Sequence, residues 1–468
     1  MGRALARIEQ KGIPTYSITR QGFRGVVNNC FLAFGFSHDA SQTEFPSNMF
    51  VPGSDLTPLE QSIDQIVFGL TKWEPKARPR RGGEPPKKVV VEGTDYADAL
   101  EKMNALFLKN SWSDGLPLLP ATEEKVSWIL TGTDLPRESV VGNILPSGRT
   151  ATVEALAVCL AMTGGRPEYL PVLIAACKAF CDPRFRHQMM QATTCGVNVA
   201  GIVNGPIAKQ IRINAGYGCL GPNPRWPASG PIGRAMRLMQ QNIGSAVPES
   251  GTMSNFGGPS KWANTIFAED EDGLPEGWEP LSVERGFAPG SNVITLHAIA
   301  SAVNISSIHA SNEQTANETL HYFARIMGSD YANILLNYYE NSAPGILLMP
   351  RGIAQGIIDA GYTKETIKQF LWEHSKFPWE VVTSDSDVFR RAKGTLLQYV
   401  DEGEPWPISI KPEQLMIVVC GGKQSGHGFW MRMGCCPMQP ISMEIELPSN
   451  WDELIAKSIE DMGPLPEL

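Results

Sequence analysis

Residues 191–242 hold the densest set of reactive side chains in the chain. Thr193, Thr194 and Cys195 place two hydroxyls and a thiol just before an apolar run, 197–203, whose pattern predicts a strand. The far end of that strand delivers Asn204-Gly205-Pro206, a turn with an amide side chain and open backbone N–H groups. A glycine-rich stretch follows at 214–222, where Gly218 beside Cys219 lets a ligand approach the main chain closely. Ser229-Gly230-Pro231-Ile232-Gly233-Arg234 then reads as a helix start, whose free N–H groups and arginine favour a carboxylate or phosphate. Cys195 is the first candidate nucleophile or proton carrier and Cys219 the second, because a thiol reacts as its thiolate. The plain alternative for each is a core cysteine. Thr193, Thr194, Asn204, Gly205 and Gly218 are the expected substrate-orienting positions, and Gly233 with Arg234 the expected seat of a negative group.

A second cluster runs from Cys420 through Gly421, Gly422, Lys423, Gln424, Ser425 and Gly426 to His427 and Gly428, with the adjacent pair Cys435-Cys436 beyond it. His427 is expected at the carboxyl edge of a sheet, where ligands of open α/β proteins sit, and is a candidate acid or base. The cysteine and histidine spacing matches no zinc signature and neighbouring cysteines chelate poorly, so no metal ligand is assigned and no cofactor is required. His297, His309 and His321 fall twelve residues apart, a spacing read as coincidence. Serine-hydrolase elbows, Walker loops and dinucleotide fingerprints do not occur as intact motifs.

The elements that must position these residues read as α/β. Residues 3–11 predict a helix ended by Gly12, and 15–19 a strand, together the second half of a βαβ unit. Thr57-Pro58-Leu59-Glu60 reads as a capping box opening a helix that closes a partial, flavodoxin-like N-terminal segment, residues 1–73. Residues 74–92, charged and rich in proline, form a linker. A larger α/β body follows, 93–300 with the glycine-rich loops and 301–468 as its C-terminal part. In it, 95–109, 151–163, 167–181 and 363–374 predict helices, Ser311 opens another, and 292–297 and 415–420 predict strands, the last a buried parallel one. No internal repeat is visible in the sequence.

Composition narrows the classes. A chain of 468 residues has room for two or three domains. No apolar run approaches the length of a membrane span, and residues 1–5 do not read as a secretory signal. Nine cysteines scattered through apolar segments suggest free thiols in a reducing compartment, which places the chain in the cytoplasm. With a net charge of −9 and one basic cluster, 76–88, lacking interleaved aromatics, nucleic acid is not an expected partner.

Longer motifs carry a resemblance. Asp114-Gly115-Leu116-Pro117 with Pro120-Ala121-Thr122-Glu123-Glu124, Ala151-Thr152-Val153-Glu154, Gly165-Arg166-Pro167-Glu168-Tyr169-Leu170-Pro171-Val172, Val203-Asn204-Gly205-Pro206 and Ile232-Gly233-Arg234-Ala235 are similar to the body of the UGSC family of (seleno)proteins. Trp278-Glu279-Pro280-Leu281 and Val419-Cys420-Gly421-Gly422 fit the same pattern. That family is named for a Cys or selenocysteine motif ahead of an N-terminal helix leading to E-x-x-G-I-P-T, and Glu9-Gln10-Lys11-Gly12-Ile13-Pro14-Thr15 matches the latter. The resemblance implies a preceding strand and redox motif that this sequence lacks. The expectation is therefore a heteromer with a separately encoded short polypeptide that carries the Cys or Sec motif. Taken together, these readings point to a subunit of a thiol-dependent enzyme, an oxidoreductase or lyase, acting on a small anionic metabolite. The alternatives are a non-catalytic binding or scaffold subunit and a metal-dependent lyase or hydratase.

Overall fold

A computed structural model describes all residues except 1, 52, 78–87, 250, 259–260, 262–263, 330–340, 424–425, 435–438 and 467–468. Much of the basic cluster at 76–88, along with Gln424, Ser425 and Cys435-Cys436, lies outside the described residues. The protein is α/β, with helices around a mixed parallel and antiparallel sheet.

In the N-terminal segment, helix Gly2–Glu9 ends at Gly12, whose φ of 75° is the left-handed conformation glycine adopts without strain. Strand β1 (Ser17–Arg20) pairs in parallel with β2 (Gln42–Phe45), and helix Arg24–Ala33 crosses between them. One βαβ unit thus lies downstream of the helix from which the sequence reading began. Ala6, Val27, Phe31 and Ala40 form its own small core. The helix expected from Thr57 is two, Thr57–Glu60 and Ile63–Thr71. The expected capping box is not made: the N-cap position is Leu56, without a side-chain cap, and the Asp55 carboxylate before it accepts from the Thr57 N–H and hydroxyl at 2.9 and 2.6 Å.

The body opens with helix Tyr96–Lys109, capped by Asp95, and the short hairpin β3 (Val140–Ile144) and β4 (Arg149–Thr152). The main sheet has seven strands: β5 (Asn198–Asn204), β6 (Thr265–Ala268), β7 (Val293–Ile308), β8 (Gly345–Met349), β9 (Met416–Val419), β10 (Gly426–Met433) and β11 (Ile441–Glu444). Their order is β6-β5-β7-β10-β8-β9, with β11 also on β7. β5 runs parallel to β6 and antiparallel to β7, while β8 runs parallel to β9 and antiparallel to β10. The topology therefore repeats: each half makes a strand, a parallel neighbour reached through helices, and an antiparallel strand on the other side. The halves meet where β7 pairs with β10. Residue 300 lies inside β7, the strand both halves share.

The sheet curls on itself. Laid flat, its six-strand path would hold β6 and β9 about 24 Å apart at ~4.8 Å per strand. Yet the Asp270 N–H, just after β6, donates to the Val419 carbonyl of β9 at 2.8 Å. Alternate residues from all six strands, Ala200 and Ile202, Phe267, Ile299, Ile346 and Leu348, Met416 and Val418, and Met431, share one interior cluster with Cys219 and Cys420. The opposite faces pack on two shells of helices. Val199, Val203, Ile266 and Leu296 meet helices Val153–Met162, Leu170–Cys181 and Ser229–Leu238. Leu347, Ile417 and Trp430 meet helices Glu313–Met327, Arg351–Asp359 and Lys364–His374. A two-residue alternation buried on both faces is why these strands read as nearly continuous apolar runs.

Candidate functional site

Cys219 and His427, more than two hundred residues apart, line one cavity of about 400 Å³ together with Cys420. The rest of its wall includes Tyr217, Gly218, Asn304, Leu348, Pro350 and Phe429. Three local features put them there. Cys219 lies in the glycine-rich loop, which the Ala215 carbonyl ties to the Gly421 N–H at 2.8 Å and the Asn214 carbonyl to the Ala268 N–H at 3.0 Å. Cys420 ends β9 with its side chain on the interior parity of Met416 and Val418. His427 opens β10 on the parity of Met431, and its Nδ1 lies 3.2 Å from the Asn304 amide nitrogen. In the neutral ring that bond places the proton on Nε2.

Gly421 and Gly422, at φ of 92° and 93°, make the turn between Cys420 and the cavity mouth. At Gly422 any side chain would strike the Tyr217 ring, since an added Cβ would lie 2.9 Å from it.

The two buried thiols line the same cavity, and their proton affinities are pushed in opposite directions. The Cys420 S–H is the largest influence lowering the Cys219 pKa. It prevails over burial and is helped by backbone N–H groups of Cys219 and Leu220. Gly421 N–H adds to this, although its own hydrogen bond goes to Ala215. Cys420 is pushed well up, first by its bond to Cys219, then by burial and by the charges of Cys219, Glu269 and Asp270. Of the two, Cys219 is the one that gives up its proton more readily.

Behind Cys420 sits a buried carboxyl network that sequence reasoning assigned differently. The Asn204 amide nitrogen donates to Glu269 at 2.7 Å and to Glu271 at 2.8 Å, and the Gly205 N–H donates to Glu271 at 2.8 Å. The Asn204 amide nitrogen and the Gly205 N–H are therefore spent bracing the turn after β5, while Asn204 Oδ1 is buried without a partner. Asp270 holds Arg351 in a bidentate pair.

Arg234 is likewise not available to an anion. Its Nε and Nη2 donate to both Asp114 oxygens at 2.7 and 2.8 Å, and Nη2 also reaches the Leu116 and Pro117 carbonyls at 3.0 Å. It clamps the Asp114-to-Pro117 turn onto helix Ser229–Leu238. Gly233 lies inside that helix, where its carbonyl accepts from the Asn264 amide.

Cys195 does not join the cavity. It precedes β5, whereas Cys219 lies by the carboxyl ends of β5 and β6, so seven strand residues, about 23 Å at ~3.3 Å each, separate the two levels. Cys195 is half-buried, its N–H donates to the Thr193 hydroxyl at 3.1 Å, and exposed Thr194 accepts from the Asn255 N–H. Beside it lies buried Lys261, whose pKa falls to about 8 through burial first and then the charge of Arg237. Sequence reasoning passed over Cys420 as a reacting group, and also Glu269, Lys261 and Arg237. For Cys420 a signal existed: an apolar strand ending in Cys-Gly-Gly. Among the described residues no group of three His, Cys, Asp or Glu side chains is placed to hold a metal ion. Nor, among them, is any helix long and apolar enough to cross a membrane.

No protein-family model matches the chain, and neither a curated protein nor a solved structure matches it.

Proposed function

We propose that the protein is a thiol-dependent enzyme whose reacting centre is the Cys219–Cys420 pair, working by dithiol–disulfide exchange with a small molecule admitted to the cavity. The observation that carries this reading is a pair of buried free cysteines, about two hundred residues apart in the chain, that line one cavity together with His427. A thiol serving only as core filling needs neither a second thiol nor an imidazole beside it.

The step balances with a disulfide as oxidant. The Cys219 thiolate attacks one sulfur of R–S–S–R, the Cys219–S–S–R bond forms as the R–S–S–R bond breaks, and RS⁻ leaves and takes a proton from solvent, with the His427 Nε2–H able to donate a hydrogen bond to it. Cys420 then passes its proton to the departing sulfur as its own sulfur attacks that of Cys219, the Cys219–S–S–R bond breaks, and the second RSH leaves. The protein's two thiols are oxidised to one disulfide, and the substrate disulfide is reduced to two thiols. The lowered Cys219 pKa supplies the attacking thiolate, and the raised Cys420 pKa keeps the second sulfur protonated until the mixed disulfide has consumed the first charge.

Oxidised glutathione, followed by peptide mapping, tests this. The native protein should acquire a Cys219–Cys420 disulfide, Cys219→Ala should leave Cys420 unmodified, and Cys420→Ser should stop at a glutathione adduct on Cys219. Losing the Cys420 thiol should also slow the first attack, by about threefold per unit that the Cys219 pKa rises, because the smaller thiolate fraction is partly offset by greater nucleophilicity. A native protein whose Cys219 stays unmodified while Cys195 and Cys181 react would overturn the reading.

A further inference from the structure

At the other end of β5 lies a cluster of buried side chains whose chemistry is the opposite of the thiol pair's: positive charge and several unpartnered donors against a single unpartnered acceptor among the described residues. Helix Ser229–Leu238 runs on through a wider turn, Met239–Ile243, and carries Arg237 and Gln240 on neighbouring turns. Arg237 is 7% exposed; its Nη2 donates to Gln241 and to the Ala246 carbonyl, both at 3.1 Å, while Nη1 has no partner. Gln240 is 1% exposed; its carbonyl oxygen accepts from Gln191, and its own amide nitrogen is unpartnered. Asn198, the first residue of β5 and 4% exposed, has an unpartnered amide nitrogen as well. Among the described residues Lys261 donates to the Thr252 hydroxyl alone, at 3.3 Å.

These groups belong to segments that run together. The Met253 N–H donates to the Gln191 carbonyl and the Asn255 N–H to the Thr194 carbonyl. An added Cβ at Gly258 would lie 3.0 Å from the Gly196 carbonyl and 3.8 Å from the Asn198 side chain. Lys261 is near enough to Arg237 and Cys195 for each to act on its charge.

Among the described residues neither Arg237 nor Lys261 has a salt bridge. Asp114, the one carboxylate whose charge favours Arg237, already gives both oxygens to Arg234. Two buried cations without a counter-charge cost far more than a protein retains by accident, and buried donors are almost always paired. The one orphaned acceptor here is Gln191 Oε1. Rotating the Gln191 and Gln240 amides together exchanges which end is open and still leaves one donor and one acceptor.

We infer that Arg237, Lys261, Asn198 and Gln240 form a binding site for a small-molecule oxyanion, a carboxylate or phosphate, whose remainder extends toward Cys195. Two cations match up to two negative charges, and Gln191 can accept from a protonated oxygen of the anion. The inference does not depend on the dithiol reading, because it uses none of the residues of that cavity.

The test follows alkylation of Cys195 by iodoacetamide, read by peptide mapping, with inorganic phosphate or acetate added to the native protein at constant ionic strength. Either anion should protect Cys195 in a saturable way without protecting Cys219, and should raise the melting temperature. Arg237→Gln and Lys261→Met should each weaken that protection about tenfold or more, the scale of one lost charge-assisted hydrogen bond. Protection by phosphate at lower concentration than acetate assigns a phosphate ligand, and the reverse order a carboxylate. Because the native protein alone is decisive, a variant that fails to fold does not rescue the inference. Absence of protection by both anions, or equal protection at Cys195 and Cys219, overturns it.

Discussion

At Glu269 burial and hydrogen bonding pull in opposite directions. Its Oε2 accepts from Asn204 and from the Leu281 N–H, both at 2.7 Å, while Oε1 has no partner. Burial prevails over the Lys364 charge and these bonds, and raises the carboxyl from 4.5 to about 7. The folded state therefore keeps this proton over a window in which the unfolded chain has lost it. Stability falls as pH rises from about 4.5 to about 7, by on the order of 3 kcal/mol from this group. Glu269→Gln should thus gain stability relative to the native chain at pH 8, and little of that gain should remain near pH 4.5. Urea unfolding at the two pH values measures the difference. His187 and His297, whose pKa values burial lowers to about 3 and about 4, are present in both proteins and cancel in the comparison. An equal difference at both pH values would show that Glu269 is ionised in the fold. Glu269 was not legible in the sequence because its chemistry comes from what surrounds it. Cys219 and His427 were legible because thiol, imidazole and glycines are informative by type. Arg234 misled because an arginine at a helix start looks the same whether or not an aspartate, here Asp114, has already claimed it.

Individual elements show the same division. The apolar runs expected to form strands do so, as β5, the start of β7 and β9. The glycine-rich stretch around His427 is in part strand β10: among its described residues Gly421, Gly422 and Gly426 take positive φ, and Gly428 is extended. Gly428 is in the strand for a packing reason, since a Cβ there would lie 2.8 Å from the Phe323 ring. The capping box expected at Ser311 is made one residue on, by Asn312 with Thr315. Two helix glycines turn this into a prediction. On propensity alone, Gly→Ala in a helix interior gains about 1 kcal/mol. Gly394, in helix Ser386–Leu396, has no atom within 4 Å of an added Cβ, so Gly394→Ala should stabilise by roughly 0.5–1 kcal/mol. At Gly356, in helix Arg351–Asp359, an added Cβ would lie 1.8 Å from the Ala310 carbonyl. There the helix must move off the end of β7, and Gly356→Ala should destabilise by about 1–3 kcal/mol despite its better propensity. Paired thermal melts of the two variants decide the point, and stabilisation by both would show that the Ala310 contact yields.

Across the whole molecule, β7 joins what the sequence divides. Its first half pairs with β5 on one side and β11 on the other, and its second half pairs with β10. A cut after residue 300 would sever this strand and the interior cluster that draws Ala200, Ile202 and Phe267 from one half and Ile346, Val418 and Met431 from the other. Either piece alone would expose strand edges along with the apolar interior face. The N-terminal segment is different, because it has its own core and meets the body through limited contacts. Gln188 donates to the Cys30 sulfur, and Gly148 lies against Ala33. Residues 88–468 expressed alone should therefore unfold in one cooperative urea transition close in midpoint to that of the full chain. Residues 1–300 and 301–468 expressed separately should show no cooperative transition, even though the strand topology repeats between them. If either half were to unfold cooperatively by itself, the curled sheet would be two abutting units, and the Cys219–Cys420 pair, with one cysteine from each half, would be an interface rather than an interior.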